Sequence, residues 1–201
     1  MVAEREKALA SQLYCSGDAE ITAIFRRAQE LTYRYNNLEF TAFDEKQAVL
    51  KELFGHLGEN VSFAAPIKVD SGVNTFIGNN CYFNFDVTIL DTAEIHIGNN
   101  VLVGPNVSFF SSLHPLVADE RRFTISQDGK FCNQEYAKPI TIGNDVWIAG
   151  NVTINGGVTI GECSVIGSGS VVTHNIPEGV LAAGVPCRVI REITENDRMG
   201  K

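Results

Sequence analysis

His114 is the side chain in this sequence best placed for proton transfer. It opens the stretch HPLVADERRFTISQDGKFCNQEYAKP, residues 114–139, which is rich in charged and turn-forming residues and interrupts a regular repeat. A long loop without a repeat of its own is usually functional or disordered. Imidazole titrates near neutral pH, so a His fixed beneath a covering loop can take a proton from a hydroxyl group. The pattern predicts His114 as a general base, with a capping or packing role as the alternative.

A six-residue repeat supplies the framework that must position this side chain. From 142 onwards the frames read IGNDVW, IAGNVT, INGGVT, IGECSV, IGSGSV and VTHNIP, each with a branched apolar first residue and a small or branched fifth residue. This period fits neither an α-helix nor an alternating strand, and it is typical of hexapeptide β-helices. Three frames make one triangular coil of 18 residues, which buries its apolar face against the next coil. An upstream copy shifts by two residues between Ile95 and Ile97, so we expect a coil with two extra residues there.

Glycine and asparagine follow the inward-pointing residue in many frames. These residue types adopt left-handed backbone angles at low cost, so we place them at the corners of the coil. The glycines are Gly78, Gly98, Gly104, Gly143, Gly161 and Gly167, and the asparagines that come next are Asn79, Asn80, Asn99, Asn100 and Asn144.

A second histidine raises the alternative of a metal site. His96 lies 18 residues before His114, the length of one coil, so the two imidazoles could stack within one strand spacing. Catalytic zinc usually has three protein ligands. His56 and His174 belong to other regions of the chain and no third ligand is apparent, so no metal is predicted.

The segments near the two ends of the chain lack the six-residue repeat. Apolar residues at three- and four-residue spacing predict two or three helices within residues 1–58, the last after a Thr41-x-x-Asp44 start signal and with a stripe that reaches Leu57. We expect these helices to cover the open strand edge of the first coil. The predicted organisation is a helical segment over 1–58, a β-helix over 59–190 with an extruded loop over 115–139, and a tail over 191–201.

Composition narrows the possible partners and the location. The 201-residue chain has a net charge of −8 and a pI near 5.0, which disfavours nucleic acid or an anionic membrane as the main partner. The sequence has no long apolar run, and the N-terminus MVAEREKALA lacks a signal-peptide core, so a cytoplasmic location is expected. The five cysteines are odd in number and form no C-x-x-C pair. We interpret them as small apolar residues rather than as disulfide partners or zinc ligands.

Six segments, spread over nearly the whole chain, match one family. They are LYCSGD at 13–18, YRYN at 33–36, CYFNFDVTILD at 81–91, SSLHP at 111–115, PITIGNDVWIAGNVTINGG at 139–157 and AAGVPCRVIRE at 182–192. Through these segments the sequence resembles the maltose and galactoside O-acetyltransferases, and the relatives that acetylate nodulation-factor sugars, within the hexapeptide acyltransferases. The resemblance implies a mainly β fold, a left-handed parallel β-helix with an N-terminal helical segment and an extruded loop, assembled as a homotrimer. It also implies transfer of an acetyl group from acetyl-CoA, lying between neighbouring coils, to a sugar hydroxyl.

The resemblance also assigns roles to individual residues. His114 is the implied base, with Asn84 beside it. The residues implied to contact the acceptor are polar or aromatic, as suits a ligand with many hydroxyls: Asp18, Asp70, Tyr82, Asn84 and Asp91. The residues implied to contact acetyl-CoA include two arginines that can hold phosphates through paired hydrogen bonds: Trp147, Gly150, Ser168, Thr173, His174, Arg188 and Arg191.

The implied mechanism is direct transfer in a ternary complex, with no covalent enzyme intermediate. A backbone N–H, for which Gly150 is the candidate, would stabilise the oxyanion. Two departures from the family pattern concern the acceptor: Gly156 stands where the family often has Pro, and the loop after His114 is several residues longer than expected for a galactoside enzyme. An antibiotic O-acetyltransferase and a non-catalytic β-helix scaffold are the alternatives. The sequence does not identify the physiological acceptor.

Overall fold

A computed structural model of the chain describes residues 2–125, 129 and 131–200. The helices are α1 (Glu4–Leu9), α2 (Ala19–Asn37) and α3 (Phe43–Leu53), and a short 3-10 helix spans Glu195–Asp197. The strands before His114 are β1 (Tyr14–Cys15), β2 (His56–Leu57), β3 (Ser62–Phe63), β4 (Ile67–Val69), β5 (Thr75–Ile77), β6 (Tyr82–Phe83), β7 (Val87–Leu90), β8 (Ile95–Ile97), β9 (Leu102–Val103), β10 (Ser108–Phe110) and β11 (Ser112–Leu113). The strands after His114 are β12 (Thr124–Ile125), β13 (Phe131–Cys132), β14 (Gln134–Ala137), β15 (Ile140–Ile142), β16 (Trp147–Ile148), β17 (Thr153–Asn155), β18 (Thr159–Ile160), β19 (Val165–Ile166), β20 (Val171–Val172), β21 (Val180–Ala183) and β22 (Arg188–Glu192).

Parallel strands stack into a β-helix with three sides. Side one contains β2, β5, β8, β15 and β18; side two contains β3, β6, β9, β16, β19 and β21; side three contains β4, β7, β10, β17 and β20. The chain passes from side one to side two to side three in each coil. We call the corner between sides two and three the front corner, and the corner between sides three and one the back corner.

The inward residues of the hexads form the core of this β-helix. The first residues of the six frames from Ile142 to Val172 are buried, and so are the fifth residues from Val146 to Ile176. Full burial of one aliphatic side chain stabilises the fold by about 1.5–3 kcal/mol, so the repeat holds the coils together along their whole length. The predicted β-helix of hexapeptide repeats is what the chain forms.

The length of the coils changes along the chain, as predicted. Ile142 pairs with Ile160, so the late coils are 18 residues long. Ile77 pairs with Ile97, so the early coil carries two extra residues. The same spacing relates Leu57 to Ile77 in the coil before it.

The corner residues follow a different rule from the predicted one. Gly78 has no positive φ; a Cβ there would lie 2.8 Å from the backbone carbonyl of Gly98, so close approach of the next coil is what requires glycine. The second members of the asparagine pairs are left-handed, with φ of 59° at Asn80 and 57° at Asn100, and so are other corner residues such as Asp145 and Asn151. The prediction of a left-handed backbone was right for Asn80 and Asn100. It was wrong for Asn79, Asn99 and Asn144 and for the glycines that precede them, which have no positive φ.

The N-terminal helices cover the strand edge of the first coil, as predicted. Asn36 of α2 donates from Nδ2 to the carbonyl of Ile67 and accepts from the N–H of Ile67, both at 2.8 Å. Its side-chain amide thus takes the place of a neighbouring strand and satisfies the exposed backbone groups. Tyr35 donates from its hydroxyl to the Phe63 carbonyl at 2.7 Å, and burial raises the pKa of Tyr35 to about 12, so the phenol stays a donor.

Two predictions at the end of the helical segment are wrong. Helix α3 begins after Ala42 and has no side-chain cap, so Thr41 does not cap it. The helix ends at Leu53, and Leu57 belongs to β2 on side one. The reason lies in the backbone: the N–H of Gly55 already donates to the Gly72 carbonyl at 3.1 Å, so the chain enters the first coil just before His56.

The loop after His114 contains strands that the sequence did not indicate. Strands β12 and β13 pair antiparallel, and β14 lies between β1 and β11 in an antiparallel sheet that we call the collar. Because β11 directly precedes His114, the collar joins the loop, the N-terminal segment and the predicted base. Residues 126–128 and 130 of the predicted loop lie outside the described residues.

Two of the cysteines are paired, which corrects the sequence interpretation. Cys15 and Cys132 form a disulfide, with their Cα atoms 5.6 Å apart. The two residues are separated by 117 positions, so only the collar brings them together. Cys81 and Cys187 are buried free thiols, as small apolar residues would be, whereas Cys163 is exposed.

The C-terminal end extends side two. Strand β22 turns back and pairs antiparallel with β21, so the predicted tail over 191–201 begins inside a strand. In the described part of the chain, no helix has the length and apolar character needed to cross a membrane.

Candidate active site

Ten of the predicted site residues occupy two different corners of the β-helix. At the back corner, His114 follows β11 of the collar, and the others follow strands of side three: Asp70, Asp91, Thr173 and His174. Those at the front corner, or on side two leading to it, are Tyr82, Asn84, Trp147, Gly150 and Ser168. About five residues of strand separate the two corners, which is roughly 15 Å. In one chain, His114 and Asn84 therefore lie at opposite ends of side three.

His114 stands where the chain leaves the β-helix for the loop. The preceding residue, Leu113, is paired with Tyr136 of β14, so the backbone next to His114 is fixed by the collar. The His114 side chain is exposed, and among residues 2–125, 129 and 131–200 its imidazole has no hydrogen-bond partner. An exposed imidazole without such a bond is able to accept a hydrogen bond from a hydroxyl group.

A cavity of about 230 Å³ lies between α1, α2, the collar and the back corner. Asp70, Tyr14 and Glu135 contribute polar groups to its lining. Polar groups that face an apolar wall suit a ligand with several hydroxyls and one apolar face. The apolar wall is formed by Ile21, Ile24 and Phe25.

The polar groups of this cavity influence one another. Tyr14 donates from its hydroxyl to Glu135 Oε2 at 2.7 Å. Burial raises the pKa of the Asp70 carboxyl, and the charge of Glu135 raises it further. Burial and the bond to Glu135 raise the pKa of Tyr14, so the phenol remains a donor. Arg5 also lines the cavity, and its buried Nε lacks a hydrogen-bond partner among the described residues.

Asp91 was predicted to contact the acceptor, and its environment corrects that assignment. Its side chain is 0% exposed. Oδ1 accepts from the N–H groups of Ser71 and Gly72, and Oδ2 accepts from the N–H of Asn74 and the hydroxyl of Thr75, at 2.9–3.2 Å. The carboxylate therefore holds the turn that follows Asp70, and its oxygens are already occupied.

We expect Asp91→Asn to destabilise the fold. An amide cannot accept on both sides, so at least one buried N–H or hydroxyl loses its partner, at a cost of roughly 2–4 kcal/mol in the free energy of unfolding. In a chain of this size the melting temperature should fall by on the order of 10 °C. The matched control is Asp86→Asn, because Asp86 forms only an exposed ion pair with Lys68 at 3.3 Å. Equal melting temperatures for the two variants would contradict this role.

The stability contributed by Asp91 should also depend on pH. Burial raises the pKa of Asp91 to about 6 from the ordinary 3.8, so the folded chain binds this proton more tightly than the unfolded chain does. Where the folded state binds more protons, the free energy of unfolding falls as pH rises. The stability of the wild type relative to Asp91→Asn should therefore decrease between about pH 4 and about pH 6. Urea unfolding of both proteins across this range measures the difference, and an increase with pH would contradict it.

Two further residues that were predicted to contact the acceptor do not line the cavity. Asp18 accepts from the N–H of Glu20 at 2.9 Å and caps α2; it lies between Ser16 and Thr22, which do line the cavity. Tyr82 lies on side two and is 40% exposed, away from the back corner. Of the predicted acceptor residues, only Asp70 faces the cavity of its own chain.

Five of the predicted coenzyme residues, Trp147, Gly150, Ser168, Thr173 and His174, divide between the same two corners. Trp147 is half exposed on side two, in register with Leu102, and Gly150 follows at the front corner. The N–H of Gly150 makes no backbone hydrogen bond within the described residues, so it can serve an oxyanion. Thr173 and His174 lie at the back corner, where their side chains are 2.8 Å apart.

Arg188 and Arg191 lie on β22, and both are exposed. The Arg191 guanidinium pairs with both carboxylate oxygens of Asp197, at 2.8 and 2.7 Å, and lowers the pKa of Asp197 to about 2. A phosphate that binds Arg191 must therefore displace Asp197. Arg188 donates only to the carbonyl of Cys187 at 2.8 Å, which leaves most of its donors for a phosphate.

The alternative of a histidine metal site is wrong in its geometry. His96 lies in the middle of side one, stacked on Phe76 and 2.8 Å from Glu94, whereas His114 lies beyond side three. The two imidazoles do not stack because the chain leaves the β-helix at His114 and returns to side one only at β15, so His96 pairs with Thr141. Within the described ranges no three His, Cys, Asp or Glu side chains are grouped to hold a metal.

Of the residues that line the cavity, sequence reasoning assigned only Asp70 to a site, and it missed the titratable groups of Tyr14, Glu135 and Arg5. Tyr14, Glu135 and Arg5 come from the N-terminal segment and the loop, where no repeat assigns a position. The segment LYCSGD contains Tyr14 and was noticed only as a family match. Nothing in the spacing indicates that Glu135 would pair with it.

Comparison with known proteins places this geometry in a family. Residues 7–58 match the family described as "Maltose acetyltransferase hexapeptide capping motif", and residues 139–174 match "Bacterial transferase hexapeptide (six repeats)". The chain is 44% identical over 172 residues to a galactoside O-acetyltransferase of Escherichia coli (strain K12), covering 86% of this chain and 80% of that protein.

Solved structures agree with these sequence relatives. A maltose O-acetyltransferase from Clostridium difficile 630 is 37% identical, with a TM-score of 0.89 over 96% of this chain and 99% of that one. A galactoside acetyltransferase in complex with coenzyme A is 40% identical, with a TM-score of 0.90 over 98% of this chain and 94% of that one. Because the helical cap, the hexapeptide coils and the identity over most of both chains agree, this chain belongs to the family of maltose and galactoside O-acetyltransferases.

Proposed function

We propose that this protein transfers the acetyl group of acetyl-CoA to a hydroxyl of a sugar, with His114 as the general base. The observation that carries the proposal is the position of His114 at the base of the collar, on a β-helix of the same fold as a coenzyme A-bound galactoside acetyltransferase. The acceptor is a sugar of the maltose, glucose or galactoside type. The polar cavity with its apolar wall supports such an acceptor.

The chemistry needs one base and one oxyanion donor. His114 takes the proton of the acceptor hydroxyl while its oxygen attacks the acetyl carbonyl carbon. The N–H of Gly150 donates to the carbonyl oxygen, which becomes negatively charged. The tetrahedral intermediate then collapses, the carbon–sulfur bond breaks, and the coenzyme A thiolate takes the proton from His114. The products are an acetyl ester and free coenzyme A, and the protein forms no covalent bond.

The site is shared between neighbouring chains of a homotrimer. Asn84 and Gly150 lie at the front corner and His114 at the back corner, so a neighbour must supply one set for the two sets to meet. Side two also presents an exposed apolar ladder that a second copy can bury. The ladder consists of Tyr82, Leu102 and Trp147, which are 40%, 50% and 51% exposed. The cytoplasmic location stays a prediction.

Acetyl-CoA binding should depend on the paired arginines of β22. The double change Arg188→Ala and Arg191→Ala should raise the KM for acetyl-CoA by about tenfold or more, because charge-assisted bonds to phosphate are lost. The KM for the sugar and kcat should change little. Arg198→Ala is the control, since Arg198 pairs only with Glu195 beyond β22. An unchanged KM for acetyl-CoA in the double variant would show that these exposed arginines do not bind acetyl-CoA.

The experiment that tests the function is an acceptor panel. Release of free coenzyme A would be followed with maltose, glucose, a β-galactoside, chloramphenicol and a streptogramin as acceptors. The proposal predicts the highest kcat/KM for a sugar. A preference for an antibiotic hydroxyl would favour the xenobiotic enzymes, and no release with any acceptor would favour a scaffold.

A further inference from the structure

We infer that the Cys15–Cys132 disulfide is a positioning cross-link for the acceptor: it holds β14, and with it Glu135, at the wall of the cavity. The inference rests on the proposed function, because it assigns the cavity of Tyr14, Asp70 and Glu135 to the sugar. It adds two residues that touch neither substrate but act through Glu135.

The cross-link lies at the point where the loop meets the N-terminal segment. Its Cα atoms are 5.6 Å apart. On one side of it Cys15 pairs with Gln134 and Tyr14 with Glu135. On the other side, the hydroxyl of Ser16 donates to Asn133. The disulfide is therefore embedded in a short antiparallel contact rather than attached to a free end.

The pairing of β14 with β1 is short, and the covalent link reinforces it. Strand β1 has two residues, so few hydrogen bonds hold this edge of β14, whose other edge pairs with β11. The neighbouring hairpin adds little burial, since Phe123, Ile125 and Phe131 are 62%, 74% and 68% exposed. A cross-link between residues 117 positions apart limits the freedom of the loop far more than one between near neighbours.

The cross-link acts on the acceptor side of the site and not on the coenzyme side. Tyr14 and Glu135, joined at 2.7 Å, lie within three residues of the two cysteines and line the cavity. The opposite edge of β14 pairs with β11, which precedes His114. Trp147 and Gly150 lie on side two and at the front corner, which are built from the coils alone. Loss of the disulfide should therefore weaken acceptor binding and leave acetyl-CoA binding unchanged.

Chemical reduction breaks the Cys15–Cys132 cross-link without a mutation. A dithiol such as dithiothreitol gives two electrons and two protons to the cystine, which becomes two thiols, and is itself oxidised to a cyclic disulfide. The KM for the acceptor should then depend on the redox state of the protein.

The test combines two variants with a control. Cys15→Ser and the double variant Cys15→Ser with Cys132→Ser should each raise the acceptor KM by about threefold to tenfold, because Glu135 loses its fixed position. Maltose, glucose and a β-galactoside are the acceptor probes. The KM for acetyl-CoA should stay within about twofold of the wild-type value, because the coenzyme site shares no contacts with the cross-link. Cys163→Ser is the control, since Cys163 is an exposed free thiol.

Redox treatment of the wild type keeps the test valid if the serine variants fail to fold. Dithiothreitol should raise the acceptor KM of the wild type, removal of the dithiol under air should restore it, and Cys15→Ser should not respond. Peptide mapping without reduction should find Cys15 and Cys132 in one cross-linked peptide. An acceptor KM that is unchanged after verified reduction would overturn the inference, and so would the absence of the cross-linked peptide.

Failure of the proposed function gives a different result. If the oxidised wild type transfers acetyl groups to none of the three sugars, the proposed function fails and the sugar role of the cross-link fails with it. If a sugar is acetylated and the KM for that sugar is the same in the oxidised and the reduced protein, only the inference fails.

Discussion

Replacing His114 with Ala should lower kcat by about two to four orders of magnitude, because the acceptor hydroxyl then loses the base that takes its proton. The KM for acetyl-CoA should change little, since the imidazole acts on the acceptor. The melting temperature should also stay close to that of the wild type, because the His114 side chain is exposed. Steady-state kinetics with a fixed sugar and thermal unfolding measure the three quantities.

The control for this change is His56→Ala. His56 is also an exposed His next to the repeats, but it lies on side one, in β2. It should keep the wild-type kcat. A His114→Ala enzyme with more than half of the wild-type kcat would refute the assignment of the base.

Mixing two inactive variants should restore activity if one site takes Asn84 and His114 from neighbouring chains. Asn84→Ala and His114→Ala chains would be unfolded together in equal amounts and refolded. In a cyclic trimer with random assembly, roughly a quarter of the sites then receive both native residues. If both residues came from one chain, every site would carry one of the two changes.

The control mixture contains His114→Ala and His114→Gln chains, which cannot form a wild-type site in any arrangement. It should remain inactive after the same treatment. Sedimentation of the active wild type should give the mass of three chains. A mass of one chain, or no activity above the control mixture, would contradict the shared site.

The sequence predicted the parts of the fold that follow from its period. Six-residue spacing identified the coil, the inward residues and even the coil with two extra residues, because each coil pairs with a copy of itself. It was wrong about the backbone angles of the corner glycines. The close approach of the next coil, which requires glycine there, cannot be inferred from a single segment of the sequence. The sequence also placed His96 against His114, although the chain leaves the β-helix at His114 and the next strand of side one is β15.

The cavity could not be predicted in the same way. Glu135 meets Tyr14, and Cys15 meets Cys132, only because the loop folds back over the N-terminal segment. Contacts between residues so far apart have no local signature. Asp91 was assigned to the acceptor as a polar residue within a matching segment, and only its burial and its four hydrogen-bond donors reveal a structural role.

The central claim is that the acetyl group passes directly from acetyl-CoA to a sugar hydroxyl. The most direct measurement follows acetyl-CoA carrying an isotopic label in its acetyl group, incubated with the enzyme and the best sugar acceptor. Mass spectrometry would then trace the label in the sugar, in free acetate and on the protein. The account predicts the label as an ester on the sugar, none bound to the protein, and loss of transfer in His114→Ala. Label found on the protein during turnover, or only in free acetate, would contradict it.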